Sequence, residues 1–218
     1  TYHWAVFLTT VGLLLGPNVW IDNPHPLRPN FYSALIGRTG TSRKSTALHF
    51  GEVLLEKLGK EVEILYGVVS SEGIYQRLSL NEGTRLLIYA DELRSLLDVA
   101  RRQGTKDLLP KLNSLYNCPP MDSIDRRQQP VKVVRPFVSL ASGSPLGWLE
   151  DAFERGDVSG GFLNRFLFLG GDEKEPIPFP KPPDEAEWNG IVTALSQAIK
   201  FWEERPGSMA WSPEAKEL

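Results

Sequence analysis

A loop of glycine, hydroxyl and basic residues lies at positions 37–46, with the sequence GRTGTSRKST. It follows the apolar run Phe31 to Ile36 and precedes a run of helix-forming residues. Backbone N–H groups in such a loop can converge on one anion, the helix start adds a favourable dipole, and a lysine can reach the outer phosphates of a nucleotide. The 37–46 loop therefore predicts triphosphate binding, with Lys44 as the cation and Ser45 as a magnesium ligand.

The spacing of this loop departs from the usual phosphate-binding pattern G-x-x-x-x-G-K-S/T. Five residues separate Gly37 from Arg43, and Arg43 stands where the second glycine is expected. An arginine there predicts either an ordinary negative φ or a left-handed backbone strained by about 1 kcal/mol or more. The alternative interpretation is a loop that only caps the next helix. The residues predicted to bind the nucleotide are Gly37, Gly40, Thr41, Ser42, Arg43, Lys44, Ser45 and Thr46.

Two acids follow the apolar run Leu86 to Ala90. Asp91 comes 47 residues after Lys44, and Glu92 is next to it. Ligands of open parallel sheets bind at the carboxyl ends of strands, so the acids and the loop are expected to share one edge. Asp91 would approach magnesium through a water, and Glu92 would act as a general base on the attacking water, which favours hydrolysis over transfer to a small acceptor. The alternative is an acidic helix start, which any helix favours.

Two later segments carry candidate partners of the outer phosphate. Ser142 and Ser144 follow a fourth apolar strand, where a hydroxyl could act as a sensor of the γ-phosphate. Arg165 precedes a fifth strand and could reach a neighbouring subunit's nucleotide as an arginine finger. The alternatives are an ordinary serine turn and a salt-bridged surface arginine.

Four basic residues cluster in a chain whose formal net charge is −3. They lie in two short strand-like segments, 123–127 and 131–134, and just after them; Gln-Gln-Pro between the segments predicts a small hairpin. Such a hairpin could follow a nucleic-acid backbone inside a ring. A solvated basic turn is the equal alternative, and no aromatic residue is interleaved for base stacking. The basic residues are Arg126, Arg127, Lys132 and Arg135.

These candidate residues need a scaffold that brings the ends of several strands together. Strand-like apolar runs alternate with helical patterns along the chain, which predicts a parallel sheet in a layered α/β domain. The predicted strands cover residues 31–36, 63–66, 86–90, 137–141 and 166–169, and the helices 44–58, 74–78, 91–102, 106–116, 146–153 and 184–203.

The rest of the chain predicts how that core is bounded. We expect residues 1–29 to form an N-terminal helix and connection, 30–171 the core and 172–183 a proline-rich linker. We expect residues 184–218 to form a truncated helical segment. The uncharged run 4–21 is broken by Gly16-Pro17, too early to cross a bilayer of roughly 30 Å, so we expect a buried helix and no membrane. The single cysteine, Cys118, excludes an internal disulfide and suits a reducing cytoplasm.

Five segments, in this order, resemble a poorly characterised P-loop ATPase family of phages, plasmids and other mobile elements. They are GRTGTSRKSTAL, SSEGIYQRL, LLIYADEL, VVRPFVSLASGSP and GGFLNRFLFL, within roughly residues 5 to 205. The resemblance implies a three-layer P-loop NTPase core of the RecA/AAA+-like ASCE type, and the extra loop residue looks like a habit of the family. The triplet Asn164-Arg165-Phe166 is also similar to the Ser-Arg-Phe finger of minichromosome maintenance helicases.

The family is often fused or adjacent to primase domains, and this implies a ring-forming, helicase-like ATPase in DNA replication. ATP and Mg²⁺ would be its cofactors, and its partners would be further copies of the chain, single-stranded DNA and a primase or replication protein. Two alternatives stay open: a nucleotide-gated scaffold or partner-binding module, and a small-molecule kinase. By position, the resemblance assigns phosphate and metal to Lys44 and Ser45, metal to Asp91, water to Glu92, the sensor to Ser142 or Ser144, and the finger to Arg165.

Overall fold

The structure is a computed structural model of the 218-residue chain. It describes residues 2–60, 62–67, 70–125, 130–154, 161–171, 175, 179, 181 and 184–212. The helices are α1 (Tyr2–Leu15), α2 (Lys44–Leu58), α3 (Ser71–Leu78), α4 (Leu93–Arg101), α5 (Leu108–Tyr116), α6 (Leu146–Glu154) and α7 (Glu185–Glu204). The strands are β1 (Val19–Ile21), β2 (Tyr32–Ile36), β3 (Glu63–Tyr66), β4 (Arg85–Ala90), β5 (Met121–Ile124), β6 (Val131–Val134), β7 (Phe137–Ser144), β8 (Phe166–Gly170) and β9 (Gly207–Met209).

A five-stranded sheet forms the centre of the protein, in the order β3-β4-β7-β2-β8. Every neighbouring pair in it is parallel. Apart from Arg85 at the start of β4, the three middle strands are continuous runs of apolar or small residues that are buried, as strands covered on both faces must be. The prediction of a parallel sheet in a layered α/β protein is confirmed.

Side chains of the sheet alternate between two hydrophobic clusters on its opposite faces. In β4, Leu86 and Ile88 join the cluster that includes α3, α4 and α5. Leu87 and Tyr89 join the cluster that includes α1, α2 and the buried Ile199 of α7. Each fully buried leucine or isoleucine contributes about 1.5–3 kcal/mol relative to an exposed one, so both faces need a helical cover. The result is a helix layer on each side of the sheet.

Helix α1 is the buried helix that the uncharged run predicted. It contacts α2 and strands β2, β4, β7 and β8, which explains why its sequence carries no charge. The helix ends at Leu15, where Gly16 turns the chain with a φ of 74°. Residues 19–21 then form β1, which pairs with β9 in parallel. No helix among the described residues is long and apolar enough to cross a membrane.

The hairpin and the end of β7 differ from the sequence prediction in their bounds. An antiparallel hairpin is confirmed, but its first strand begins at Met121 and ends at Ile124 instead of covering 123–127. Strand β7 continues through Ser142 to Ser144, where a turn was predicted. Its neighbours hold this extension, because Ser142 pairs with both Ala90 and Ala34 and Ser144 pairs with Ile36.

Helix α7 begins and ends one residue later than predicted. The Asp184 carboxylate accepts the backbone N–H of Ala186 at 2.7 Å, which caps the start of the helix. The helix packs on α1 and α2, and Ile199 is its fully buried residue among those described. Most of the predicted 172–183 linker lies outside the described residues.

Candidate functional site

The 37–46 loop joins the end of β2 to the start of α2, so the strand–loop–helix order is as predicted. Gly40 has a φ of 84°, which turns the chain back towards the helix. The Ser42 hydroxyl is buried and donates to the carbonyl of Arg38 at 2.6 Å, so the loop closes on itself. The first described helical bond then runs from the N–H of Ala47 to the carbonyl of Arg43 at 3.2 Å. The N–H groups before Ala47 lie at the free helix start, where an anion binds favourably.

Arg43 takes the left-handed conformation, with φ of 55° and ψ of 33°. The structure therefore has the strained one of the two backbones that the sequence allowed. A non-glycine residue held in that conformation costs about 1 kcal/mol or more. Its guanidinium Nη2 donates to the carbonyl of Glu175 at 2.6 Å. Arg43 thus adopts the backbone that glycine would, and places a cation beside the loop.

The ammonium group of Lys44 points into the loop. Its Nζ donates to the carbonyls of Gly37 at 2.7 Å and Arg38 at 3.0 Å, and to the Ser42 hydroxyl at 3.0 Å. Partial burial lowers the pKa of Lys44, and the nearby Glu92 carboxylate opposes that shift. The lysine is held at the centre of the loop by oxygen atoms, the partners that phosphate oxygens would replace.

A cavity of about 380 Å³, the loop cavity, joins the 37–46 loop to the end of β4. The structure therefore brings Lys44 together with Asp91 and Glu92 at the carboxyl edge of the sheet. Of the predicted nucleotide-binding residues, Gly37 and Thr41 are not part of the cavity wall. The lining residues are Thr39, Gly40, Ser42, Arg43, Lys44, Ser45, Thr46, Asp91, Glu92, Gly143 and Pro145.

Both acids are exposed to solvent on the cavity wall. Glu92 stands at the cap position of α4 in an extended conformation, and within the described part of the chain its side chain makes no capping hydrogen bond. Asp91 and Glu92 directly precede α4, as the acidic-helix-start alternative also expects, so that alternative stays open. Glu92 is also close enough to Lys44 to affect the lysine pKa. Its carboxylate is open to a water molecule in the cavity.

Strand β7 meets the loop cavity through Gly143. A Cβ atom at this position would lie 3.0 Å from the Asp91 carbonyl oxygen and 3.5 Å from Cε of Lys44. Because glycine has no side chain, β7 can pass close to both Lys44 and the end of β4. Sequence reasoning did not single out this residue, although it lies between the two predicted sensor serines.

The two predicted sensor serines do not line the loop cavity. Ser142 and Ser144 are buried, and their hydroxyls donate to the carbonyls of Gly143 at 3.4 Å and Pro145 at 3.1 Å. Alternate residues of a strand face opposite sides, so with Gly143 towards Lys44 both serines point away from it. The wall of the loop cavity at this strand is formed by Gly143 and Pro145 rather than by the serine hydroxyls.

Arg165 lies at the opposite edge of the sheet. Strand β8 begins beside Tyr32, the amino end of β2, and Arg165 immediately precedes it. The guanidinium Nη1 donates to the carbonyl of Gly161 at 2.6 Å, and the group lies 5.9 Å from the ring centre of Tyr116. Arg165 is therefore remote from the loop cavity of its own chain, and its contact with a neighbouring subunit stays a prediction.

The basic hairpin is described only in part. Arg126 and Arg127 lie outside the described residues. Lys132 is exposed, whereas Arg135 has a φ of 49° and its Nη2 pairs with the Glu82 carboxylate at 2.8 Å. Of the two described basic residues, one already has an acidic partner.

The loop cavity offers two oxygen-bearing side chains that could hold a magnesium ion. No group of three or more His, Cys, Asp or Glu side chains in the described part of the chain could hold a metal ion. Ser45 and Asp91 both line the cavity and offer the hard oxygen donors that magnesium prefers. Phosphate oxygens and waters would complete its coordination, as in nucleotide-bound magnesium.

A larger cavity of about 510 Å³, the amino-edge cavity, lies near the amino ends of β2 and β7. Its volume exceeds that of the loop cavity, but its chemistry is poorer. Burial raises the pKa of Cys118 to about 12, with Arg28 opposing the shift, so the thiol is neutral at ordinary pH. The lining residues are His25, Pro26, Leu27, Arg28, Asn30, Tyr116, Asn117 and Cys118.

Sequence reasoning also missed Tyr2, which lies beneath the 37–46 loop. Its hydroxyl donates to the carbonyl of Ile36 at 2.5 Å, at the last residue of β2. A tyrosine in an apolar helix has the same pattern as an ordinary core aromatic, so no local signal separates the two. Only the packing of α1 on the sheet places this hydroxyl at the base of the loop.

No protein-family model matches the chain, and a search of curated proteins finds no match. The resemblance to the mobile-element ATPase family therefore stays a prediction, and the function has to be argued from the site itself.

Proposed function

We propose that this chain is a magnesium-dependent P-loop ATPase of the RecA/AAA+-like ASCE type. The observation that carries the proposal is that Lys44, Ser45, Asp91 and Glu92 line one cavity at the carboxyl edge of a parallel sheet. That edge is where open α/β sheets bind their ligands. The strand order supports it as well, because β7 lies between the loop strand β2 and the acid strand β4.

The phosphates of ATP would bind at the start of α2. Free N–H groups of the helix start and the ammonium of Lys44 supply positive charge there. In the structure that ammonium is bonded to two carbonyls and one hydroxyl, so phosphate oxygens would take the place of existing partners. Arg43 adds a second cation on the cavity wall.

Ser45 would bind magnesium directly, and Asp91 would bind it through a water. The ion would neutralise charge on the phosphates. Glu92 would accept a proton from a water in the cavity while the water oxygen forms a bond to the γ-phosphorus and the bond to the ADP oxygen breaks. The products are ADP and inorganic phosphate. The exposed Glu92 carboxylate, which does not cap α4 within the described residues, supports this role.

The decisive experiment compares Glu92→Gln with Glu187→Gln, a matched change of an exposed glutamate on α7. ATP binding is measured by calorimetry and turnover by phosphate release. We expect Glu92→Gln to bind ATP and to lose about 10²- to 10⁴-fold in turnover, the usual contribution of a general base, while Glu187→Gln behaves as the wild type. Wild-type protein that binds ATP without turnover would favour the scaffold alternative, and a phosphorylated small molecule would favour a kinase.

We propose a ring-forming, helicase-like motor as the setting of this ATPase, in phage or mobile-element DNA replication. The family resemblance supports it, and so does the position of Arg165, which lies too far from its own loop cavity to act there. Turnover with and without single-stranded DNA, measured together with the oligomeric mass, tests this setting. Unchanged turnover with DNA and a strictly monomeric protein would refute it.

A further inference from the structure

Tyr2 sits in a slot at the base of the 37–46 loop. It is the first residue of α1 and is 7% exposed. Its hydroxyl donates to the carbonyl of Ile36 at 2.5 Å and lies 3.4 Å from the carbonyl of Gly171, the residue that follows β8. One side chain from the helix layer therefore contacts the ends of two neighbouring strands, β2 and β8.

Two glycines make room for this side chain. A Cβ at Gly37 would lie 2.3 Å from the Tyr2 hydroxyl oxygen, and a Cβ at Gly171 would lie 2.5 Å from Cζ of Tyr2. Neither glycine has a left-handed backbone, so conformation is not what requires glycine at these positions. The first glycine of the loop is explained by the close approach of Tyr2 from α1 and of Ser42 from the loop itself, whose Cβ would lie 2.8 Å from a Cβ at Gly37.

The Ile36 carbonyl connects Tyr2 to the 37–46 loop. It accepts the Tyr2 hydroxyl and also the N–H of Gly171 at 3.3 Å. The next residue, Gly37, donates its N–H to the carbonyl of Ser144 at 3.1 Å, and its own carbonyl accepts a hydrogen bond from Nζ of Lys44 at 2.7 Å. The tyrosine hydroxyl and the lysine ammonium thus bind the carbonyls of two consecutive residues, Ile36 and Gly37.

We propose that Tyr2 is a positioning residue for nucleotide binding, and this inference rests on the proposed ATPase function. Its hydroxyl fixes the Ile36–Gly37 peptide, so the loop is held in the arrangement that presents Lys44 to phosphate. Without that bond the peptide has more conformations available. Apparent affinity falls in proportion to the fraction of molecules in the competent conformation.

Tyr2→Phe is the direct test, and Tyr32→Phe is its matched control. Tyr32 is also buried and its hydroxyl also donates to a carbonyl, that of Leu112 at 2.9 Å, but it belongs to the hydrophobic cluster on the other face of the sheet. We expect both variants to lose a similar amount of stability in urea. Only Tyr2→Phe should weaken Mg-ATP binding, by about three- to tenfold, the value of one hydrogen bond.

A double-mutant cycle isolates the contact. The three nearest atoms to a Cβ at Gly171 all belong to Tyr2, so Gly171→Ala should weaken ATP binding in the wild type and have little effect in a Tyr2→Ala background. Additive effects would overturn the inference. So would equal ATP affinity of Tyr2→Phe and wild type, or an equal loss in Tyr32→Phe. If wild-type protein itself fails to bind ATP, the proposed function is refuted first, and this inference with it.

Discussion

The two edges of the central sheet both carry polar residues and a cavity, but they differ in how far those residues are exposed. At the carboxyl edge, Asp91 and Glu92 are exposed, and Lys44 is held by loop oxygens. At the amino edge, Tyr32 is buried against Leu112, and Arg165 lies over Tyr116. One edge keeps charged groups accessible, whereas the other uses its polar groups as part of the packing.

Protonation sharpens this contrast. At the amino edge, burial raises the pKa of Tyr32 far above its ordinary value, and it also raises the pKa of Tyr116. These groups, like Cys118, stay neutral at physiological pH. The described wall of the amino-edge cavity carries Arg28 but no carboxylate, whereas the loop cavity combines Lys44 with Asp91 and Glu92. The larger amino-edge cavity is therefore a weaker candidate than the smaller one beside Lys44.

The largest expected effect concerns Cys118 at the amino edge. Its pKa of about 12 leaves very little thiolate at pH 8, whereas an unfolded cysteine titrates near 8.5, so we expect iodoacetamide to label the folded protein about a thousandfold more slowly than the unfolded chain. Mass spectrometry measures both rates. Because the unfolded chain releases this proton first, the stability contributed by Cys118 is full below about pH 8.5 and falls as pH rises towards 12. Rapid labelling of folded protein would contradict the contrast between the edges.

The next largest effect is expected on ATP affinity, when a cation is removed from one edge or from the other. Lys44→Ala removes charged hydrogen bonds to phosphate, so we expect ATP affinity to fall about 10- to 100-fold in calorimetry. Arg165→Ala at the amino edge should leave ATP affinity of the isolated subunit unchanged. An equal loss in both variants would mean that the nucleotide does not bind in the loop cavity.

A smaller effect is expected at Gly143. A methyl group there would press on the Asp91 carbonyl and the stem of Lys44, so Gly143→Ala should lower ATP affinity about two- to tenfold. Gly147→Ala is the control, because a Cβ at Gly147 has no heavy atom within 4 Å among its described neighbours. If the two variants bind ATP equally, the close approach of β7 to Lys44 does not matter for nucleotide binding.

The smallest effect is expected on the free energy of unfolding, when either of two arginines with a left-handed backbone, one at each edge, is replaced. Arg43 and Arg135 have φ values of 55° and 49°, and Arg135 comes just before the amino end of β7. Replacing either by glycine relieves the left-handed backbone but increases the entropy of the unfolded chain, so we expect each to change the free energy of unfolding by about 1 kcal/mol or less. Only Arg43→Gly should weaken ATP binding. A loss of ATP affinity in Arg135→Gly would contradict the difference between the two edges.

Local signals explain which elements could be predicted from the sequence. Helix α2 begins at Lys44 and ends at Leu58 as predicted, because Gly59 takes a left-handed φ of 59° that stops the helix. The Ser70 hydroxyl accepts the N–H of Gly73 at 3.2 Å and caps α3, which begins at Ser71 rather than at the predicted residue 74 and ends at Leu78 as predicted. Helix α5 begins at Leu108 rather than 106, which places Pro110 within the first turn, where it is tolerated.

The predictions that failed or stay incomplete depend on distant partners. The turn expected at Ser142 to Ser144 is a strand because two parallel neighbours supply its hydrogen bonds. Because β7 continues through these residues, the side chains of Ser142 and Ser144 point away from Lys44. No pattern within a short segment carries this information, since serine, glycine and proline indicate a turn when they are read alone.

The sequence by itself determined the order of the five central strands and their helices and the residues of the 37–46 loop, because capping, turn chemistry and hydrophobic periodicity act over a few neighbouring positions. It did not indicate the small β1–β9 sheet, whose two strands lie far apart in the chain. The tertiary structure alone decided that Gly143 approaches Lys44, that Tyr2 reaches the carbonyl of Ile36, and that Arg165 lies at the opposite edge. Each of these depends on the register of parallel strands and the packing of α1, which join residues far apart in the chain. Contacts of that kind follow from the shape of the whole core, and no local run of residues specifies them.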